Sequence, residues 1–484
     1  MVNPPPHASV ASRAWAHVEA WTRDHLGVAC TMVGGLWAVL CALPLLARVY
    51  AHACSVDLAI YAQAVLRMGH GEINPFVPVR NVTIFADHVD PIILLLAPFT
   101  RLVDARYVVV LAELGFVALA PLAVWAAHKR GLLPWDWTLW AVAFLFFCPA
   151  TIHALTMPVH PATWSMFPMV LLGLAVFHNR TGPIVAALVF LFLFREEYPL
   201  GGLALGGYWL LFGPRRRGAL VLAVSAVATA MVLWLRPLLV PDVVDYGGTI
   251  LVRVLHPGRI LDTYLSDSHH AFLVARFVGP FVPWLVVLLL QKQTPRWALL
   301  ALLGPGMLIR LIRPAMDSHY MPVMAAGVLM ALLPLGREMV LPRWMPAVTL
   351  ALMMPLSGHY LQKNLTALRG EYAQTPATPS RLAALDRGFA LLMQHTDVPV
   401  LTQHHLVDGL LEHPLVNHLG GPQPPNTTTF HCVMVEKAPY GDPWPLGRAR
   451  LAELEAQWRA DPATVVLQDD AHVFVAQGVF REDR

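Results

Sequence analysis

The residues of this chain that can do chemistry gather in a few short segments. The richest runs from Ser55 to Pro91, opening Ser-Val-Asp-Leu-Ala-Ile-Tyr-Ala-Gln-Ala and closing Asp87-His88-Val89-Asp90-Pro91. Folded as a helix, residues 57–68 place Asp57, Tyr61, Ala64 and Met68 on one face. Asp57 can then serve as a general base or metal ligand at a membrane surface. Equally, it can only cap the helix, a role open to Ser55 as well. Asp87, His88 and Asp90 bring two carboxylates and an imidazole together. Such hard ligands suit magnesium or manganese, although acids also suit a helix N-terminus, where the dipole favours negative charge.

Arg195-Glu196-Glu197 and Asp317-Ser318-His319-Tyr320 stand at the ends of apolar runs, and His153 and His160 flank a short loop. Singly, each reads as an interfacial anchor. Their recurrence on one side of the membrane argues for a shared site. Arg253, His256 and Arg259, in the loop of about 241–270, can hold a phosphate through charge-assisted hydrogen bonds, or can be solvated anchors. The histidines of the C-terminal region, His404, His405, His413, His418, His431 and His472, lack ligand spacing and read as surface residues.

The elements that must position these groups are membrane spans. The chain has 484 residues, of which 56% are hydrophobic and 13% charged, with a mean hydropathy of +0.54. A water-solvated globule is excluded for most of it. Apolar stretches predict about eleven spans: 28–50, 106–127, 136–152, 163–178, 182–195, 198–213, 218–239, 271–290, 297–312, 319–335 and 344–358. The first is too long for a cleavable signal and reads as an uncleaved span. Pro91–Val103 is apolar but short, as befits a helix lying in the interface.

Lys129-Arg130, Arg180, Arg215-Arg216-Arg217, Lys292 with Arg296, and Arg337 with Arg343 fall on alternate junctions. The positive-inside rule puts them, and the N-terminal segment 1–27, in the cytoplasm of a multi-pass plasma (inner) membrane protein. The polar segments above, including the first outer loop 51–105, then lie outside. So does the tail 359–484, a soluble α/β domain with helices near 380–395 and 448–459 and strands near 398–402, 463–468 and 472–476. The fold class is therefore an all-α polytopic bundle followed by a small extracytoplasmic α/β domain. Among the five cysteines, Cys54 and Cys432 share the outer side and can pair there. A net charge of +3 is too small to argue for nucleic acid.

The order of motifs carries a resemblance. A first span, Ser55-Val-Asp57 opening a helix, Gly71-Glu-Ile-Asn-Pro75-Phe, Asp87-His88 before Pro91-Ile-Ile-Leu-Leu-Leu-Ala-Pro98, Arg195-Glu196-Glu197 and His319-Tyr320 follow one another. Together they resemble a family of prokaryotic membrane proteins catalogued as a domain of unknown function, over about residues 30–480. That family is similar in turn to the GT-C glycosyltransferases, which use polyprenyl-phosphate sugars in the lipid bilayer. The resemblance implies Asp57 as the catalytic acidic residue of the first outer loop. It implies Asp87, His88, Glu196 and Glu197 as ligands of a divalent cation, magnesium or manganese, or as acceptor contacts. Tyr61, Gln63, Asp90, His160, Arg195, Arg253, Arg259, Asp317, His319 and Tyr320 become substrate contacts. The expected reaction is sugar transfer with inversion to an acceptor the sequence does not identify. The Lys or Arg that many such enzymes carry near Asp90-Pro91 is missing here. Two other readings stay open: a transporter or flippase, for which Glu113 within the second span is the main intramembrane charge, and a non-catalytic membrane module.

Overall fold

A computed structural model describes residues 10–157, 159–240, 243–244, 246–256, 258, 260, 262, 264, 278–282, 297–312, 319–332, 345–368, 376–421, 429–439, 441 and 445–481. Among the described residues four helices are long and apolar enough to cross a membrane: Leu26–Tyr50, Ala105–Lys129, Trp135–Thr156 and Arg215–Leu239. In lipid a helix satisfies its own backbone, so Leu-, Val- and Ala-rich runs of this length have no competing conformation. Shorter apolar helices, Pro161–Phe177, Thr181–Phe192, Tyr198–Phe212, Trp297–Ile312 and Met321–Leu332, fall on further expected segments. The expected segment 271–290 lies almost wholly outside the described residues. The last apolar helix, Met345–Leu368, runs past its expected end at 358.

Two of the long helices contain a π turn, Ala38–Ala42 and Met231–Leu235, and each is followed within two residues by a proline, Pro44 or Pro237. A proline removes one ladder donor and crowds the preceding turn, and a widened turn relieves both. The helix end after the second π turn carries Arg236 to the loop 51–105, where it donates to the carbonyls of Phe85, Ala86 and Asp87 at 2.8–3.1 Å. Glycines set the closest helix contacts. A Cβ on Gly206 would lie 2.7 Å from the Leu222 nitrogen, and one on Gly201 would lie 2.4 Å from the Leu302 carbonyl oxygen. Small residues of this kind let helices approach in a membrane.

Ala105–Lys129 and Pro161–Phe177 run in the same direction, and Thr181–Phe192 runs back against them. Lys129-Arg130, Arg180 and Arg215–Arg217 therefore share one end of the bundle, where Arg217 donates to the Asn179 carbonyl at 2.8 Å. The opposite end holds the polar segments. There Val56–Gly69 forms the expected amphipathic helix, and Phe76–Val77 (β1) and Val82–Thr83 (β2) pair as a short hairpin. Pro91–Arg101 forms a 3-10 helix too short to cross. Its Ile92 N–H bonds the Leu193 carbonyl at 3.0 Å, tying the first loop to the segment that carries Arg195.

The C-terminal domain has a five-stranded mixed sheet. Its strands are Val400–Thr402 (β3), Val416–His418 (β4), Phe430–Glu436 (β5), Val465–Asp469 (β6) and Val473–Phe480 (β7), in the order β4-β3-β5-β7-β6. β3 runs parallel to β4 and β5, while β7 runs antiparallel to β5 and β6. Helices Pro379–Leu392 and Arg448–Ala460 fall where the sequence puts them. The central strand β5, as well as β4, escapes the sequence reading. Phe430–Glu436 is buried at nearly every position and so lacks the alternation that marks a half-exposed strand. Four of the six tail histidines expected at the surface, His404, His405, His413 and His418, are buried instead. The covering elements are distant in sequence, so residue type alone pointed the wrong way. All five cysteines, Cys54 and Cys432 included, are free thiols.

A buried polar network joins this domain to the first loop. Arg381 and Glu436 form a two-point ion pair with both side chains fully buried. The remaining Arg381 nitrogen donates to the Ala51 carbonyl at 2.7 Å, and His405 Nε2 lies 2.9 Å from Glu436. Beside it, His52 meets Asp408 at 2.6 Å. The 3-10 turn His404–Gly409 packs against the helix Val56–Gly69, so the tail braces the helix that bears Asp57.

Candidate functional site

At the polar end of the bundle a cavity of about 520 Å³ opens among the first loop, the helix end at Arg236, and the segments carrying Arg195 and His319. Four arginines, Arg80, Arg195, Arg236 and Arg310, and four carboxylates, Asp57, Asp87, Glu196 and Glu197, line it together with His88, His160 and His319. The size falls in the range of small-molecule sites.

Three of the four carboxylates are held by arginine, backbone or imidazole partners. Asp87 accepts from Arg80 at 2.8 and 3.0 Å, one bond to each oxygen. Both Glu197 oxygens accept from Arg310 at 2.5 Å. Glu196 accepts from the Val89 N–H at 3.0 Å and meets His88 Nδ1 at 2.9 Å. The other His88 nitrogen, Nε2, lies 3.0 Å from an Arg195 nitrogen, which can only donate. Burial raises the Glu196 carboxyl, but Arg195 and His88 outweigh it and hold the group well below the ordinary carboxylate range.

Asp57 is the exception. It stands in the first turn of its helix, where the Ser55 hydroxyl donates to its Oδ2 at 3.2 Å. His160 Nε2 is 3.7 Å away, too far for a good hydrogen bond. Its side chain is 32% exposed, against 18% or less for the other three. Burial pushes the carboxyl up, yet His160 and Ser55 more than offset this, and the group stays below its usual value. An ionised, accessible carboxylate is what a base for a hydroxyl needs. The Asp57 face of the helix turns to the cavity with Tyr61, and the N-cap Ser55 makes no side-chain capping bond.

A layer of aromatic and cationic side chains supports this group. The His160 and His319 rings stack face to face, 3.3 Å between centroids and 2° from parallel. Tyr320 lies between two guanidiniums, with Arg310 3.5 Å and Arg195 4.8 Å from its ring centre. Its hydroxyl also accepts from Arg195. Such contacts orient a cation without neutralising it.

The expected residues thus separate. Asp57, Tyr61, Asp87, His88, His160, Arg195, Glu196, Glu197, His319 and Tyr320 all line the cavity. Asp90, expected as a substrate contact, is fully buried behind the wall, where Tyr61 donates to it at 3.0 Å and Arg195 lies 3.6 Å away. Burial, opposed in part by Arg195, raises its carboxyl to about 6. Gln63 is fully buried and lines no part of the cavity, because it sits two residues beyond Tyr61 on another helix face. Arg253 also lies off the lining; Ile250 of the same helix reaches it instead. Arg259 and Asp317 fall outside the described residues. The expected cation ligands Asp87, Glu196 and Glu197 each accept hydrogen bonds from the protein donors named above, and His88 bridges Glu196 and Arg195. Among the described residues no three His, Cys, Asp or Glu gather to hold a metal.

The sequence reading missed Arg80, Arg236 and Arg310. Arg236 and Arg310 each stand in the last turns of a helix that is apolar in its middle, and that placement is the signal that marks them.

No curated protein matches the chain in sequence. Among solved structures, ArnT from Cupriavidus metallidurans bound to undecaprenyl phosphate aligns with a TM-score of 0.52 and 14% identity, covering 92% of this chain and 97% of that one. The apo form of the same protein aligns at 0.44 and 14%, covering 87% and 93%. At such identity the likeness to the first is one of fold, and it is consistent with the GT-C-like architecture implied by the motifs. The profile of the predicted membrane protein family DUF2079 matches residues 52–357, which contain every lining residue of the cavity. The chain belongs to that family.

Proposed function

We propose that the chain is a membrane glycosyltransferase that moves a sugar from a polyprenyl-phosphate donor to an acceptor hydroxyl, on the outer face of the membrane. One observation carries the reading. The cavity gathers an ionised, loosely held Asp57, the arginines Arg80, Arg195, Arg236 and Arg310, and the apolar Val232, Leu233 and Pro237 of a lipid-length helix in one lining. A lining with both charged and apolar groups suits a substrate with an anionic head and a hydrocarbon tail. Undecaprenyl phosphate, the ligand bound to ArnT, has that character.

In the proposed step Asp57 takes the acceptor hydroxyl proton as the acceptor oxygen bonds the anomeric carbon. The bond from that carbon to the donor phosphate breaks, and its electron pair leaves on the lipid phosphate. A single displacement inverts the anomeric centre. Arg80, Arg195 and Arg310 are the cations for the departing phosphate; Arg195 Nε and Nη1 and Arg310 Nε are buried without a hydrogen-bond acceptor. Donors already aimed at developing charge lower the barrier without reorganising. A divalent cation at Asp87, His88, Glu196 and Glu197 would first have to displace protein donors, so no step is routed through one.

The test supplies the purified full chain, in lipid nanodiscs, with a panel of radiolabelled polyprenyl-phosphate sugars and follows release of label from the lipid. Asp57→Asn should reduce turnover by about 10²–10⁴-fold, the usual share of a general base. Equal turnover by the variant would remove Asp57 from the chemistry. Label that crosses the membrane with its lipid bond intact would point to a flippase instead.

A further inference from the structure

A second, larger cavity shares no lining residue with the first. It is a groove of about 910 Å³ between the helices Ala105–Lys129, Pro161–Phe177 and Thr181–Phe192. Its walls are apolar except at one end, where Arg130, His178 and Arg180 form the mouth. All three are exposed, and among the described residues neither arginine is in an ion pair. The other cations nearby are engaged: Arg217 on Asn179, and Lys129 on the Trp125 ring at 5.4 Å. Asp136, the acid that follows on the next helix, accepts from the Trp137 N–H at 2.9 Å.

The three walls agree on the length of the groove. Leu119 to Arg130, Phe167 to His178 and Phe190 to Arg180 each span ten or eleven helical residues, or about 16 Å at 1.5 Å per residue. That is about half of a 30 Å hydrocarbon core, the depth of one leaflet. The blind end is aromatic. Phe167 and Phe190 meet edge to face at 6.2 Å, and Phe116, Trp164 and Phe194 pack behind them, between the groove and the Arg195 cavity. The groove is therefore separate from the proposed donor site and opens at the other membrane boundary.

We propose that this groove holds a glycerophospholipid with an anionic headgroup, from the leaflet opposite the catalytic cavity. An acyl chain lies along Leu122, Ala126, Leu171 and Leu174, and the phosphate sits between Arg130 and Arg180. A chain ending at Phe167 needs only one leaflet's length, which a phosphoglyceride supplies and which a long polyprenyl chain exceeds.

The delipidated full chain, in detergent, is titrated with phosphatidylglycerol or phosphatidylcholine and read by native mass spectrometry. Two arginines at a membrane surface should favour phosphatidylglycerol by about 10- to 30-fold. Arg130→Gln with Arg180→Gln should erase that preference, and both positions are exposed, so folding is spared. Ala126→Trp, which fills the groove, should weaken both lipids; monodispersity on gel filtration verifies that this variant folds. Equal binding of the two lipids by the wild type, or an undiminished preference in the double variant, overturns the proposal. So does displacement of phosphatidylglycerol by equimolar polyprenyl phosphate, which would make the groove a second donor-lipid site. None of these results bears on Asp57.

Discussion

Replacing Arg381 with methionine should uncouple the C-terminal domain from the membrane bundle. The arginine is fully buried and spends three nitrogens on Glu436 and the Ala51 carbonyl. Methionine fills similar volume but leaves the Glu436 carboxylate buried with His405 as its remaining partner. Removing one member of a buried pair typically costs about 3–5 kcal/mol, most of it the stranded charge rather than the lost attraction. For a domain of this size each kcal/mol moves Tm by about 3–6 °C, so the domain transition should fall by about 10–30 °C. Differential scanning fluorimetry of the detergent-solubilised chain measures it, with limited proteolysis as a second readout near residue 376. The variant with both Arg381→Met and Glu436→Met removes the stranded charge and should recover most of the loss. A single-variant cost below about 1 kcal/mol, the scale of a surface pair, would refute the reasoning, as would a double variant no more stable than the single. Acid gives an independent handle. Burial raises the Glu436 carboxyl, but His405 and Arg381 outweigh it and depress the group. Its contribution is therefore present above the ordinary glutamate range and lost as pH falls through the depressed value.

Two further outcomes follow from the site. Gly201→Ala drives a Cβ to 2.4 Å from the Leu302 carbonyl oxygen, so it should separate helix Trp297–Ile312 from its neighbour, disturb the Arg310–Glu197 pair, and cost about 1–3 kcal/mol in a thermal melt. Gly207→Ala in the same helix, with open space around its Cβ, should be neutral or stabilising; similar losses at both positions would discard the packing argument. For Asp90, raised from 3.8 to about 6, stability falls with rising pH between those values and is flat above, so the wild-type-minus-Asp90→Asn difference should change across that window. A pH-independent difference in melting would show that burial does not set this carboxyl.

The polar end of the bundle is legible from sequence for a simple reason. Ionisable side chains are expensive in lipid, so wherever they cluster at span ends they mark a boundary with a purpose. Asp57 is found by helical spacing, and the short run Pro91–Arg101 by its length. What spacing cannot reveal is which charge answers which. Glu197 and Arg310 are 113 residues apart, and His88 and Glu196 are 108 apart. Four residues that look like hard ligands in sequence are therefore satisfied by guanidinium, imidazole and backbone donors once the chain folds. The same limit hides the tail histidines, buried by contacts made across hundreds of residues, as between His52 and Asp408. Strand Phe430–Glu436 fails for a local reason, since a strand covered on both faces has no alternation to read.

The family match ends at residue 357, inside the last apolar helix, yet Ala51, one position ahead of its start, is capped from beyond that limit by Arg381. The portion shared across the family is therefore not a severable unit in this protein. Trimming the chain to it would strand a carbonyl at the end of the first long helix, strip His52 of its acidic neighbour, and unbrace the segment that presents Asp57. Biochemistry on this protein has to begin with its tail attached.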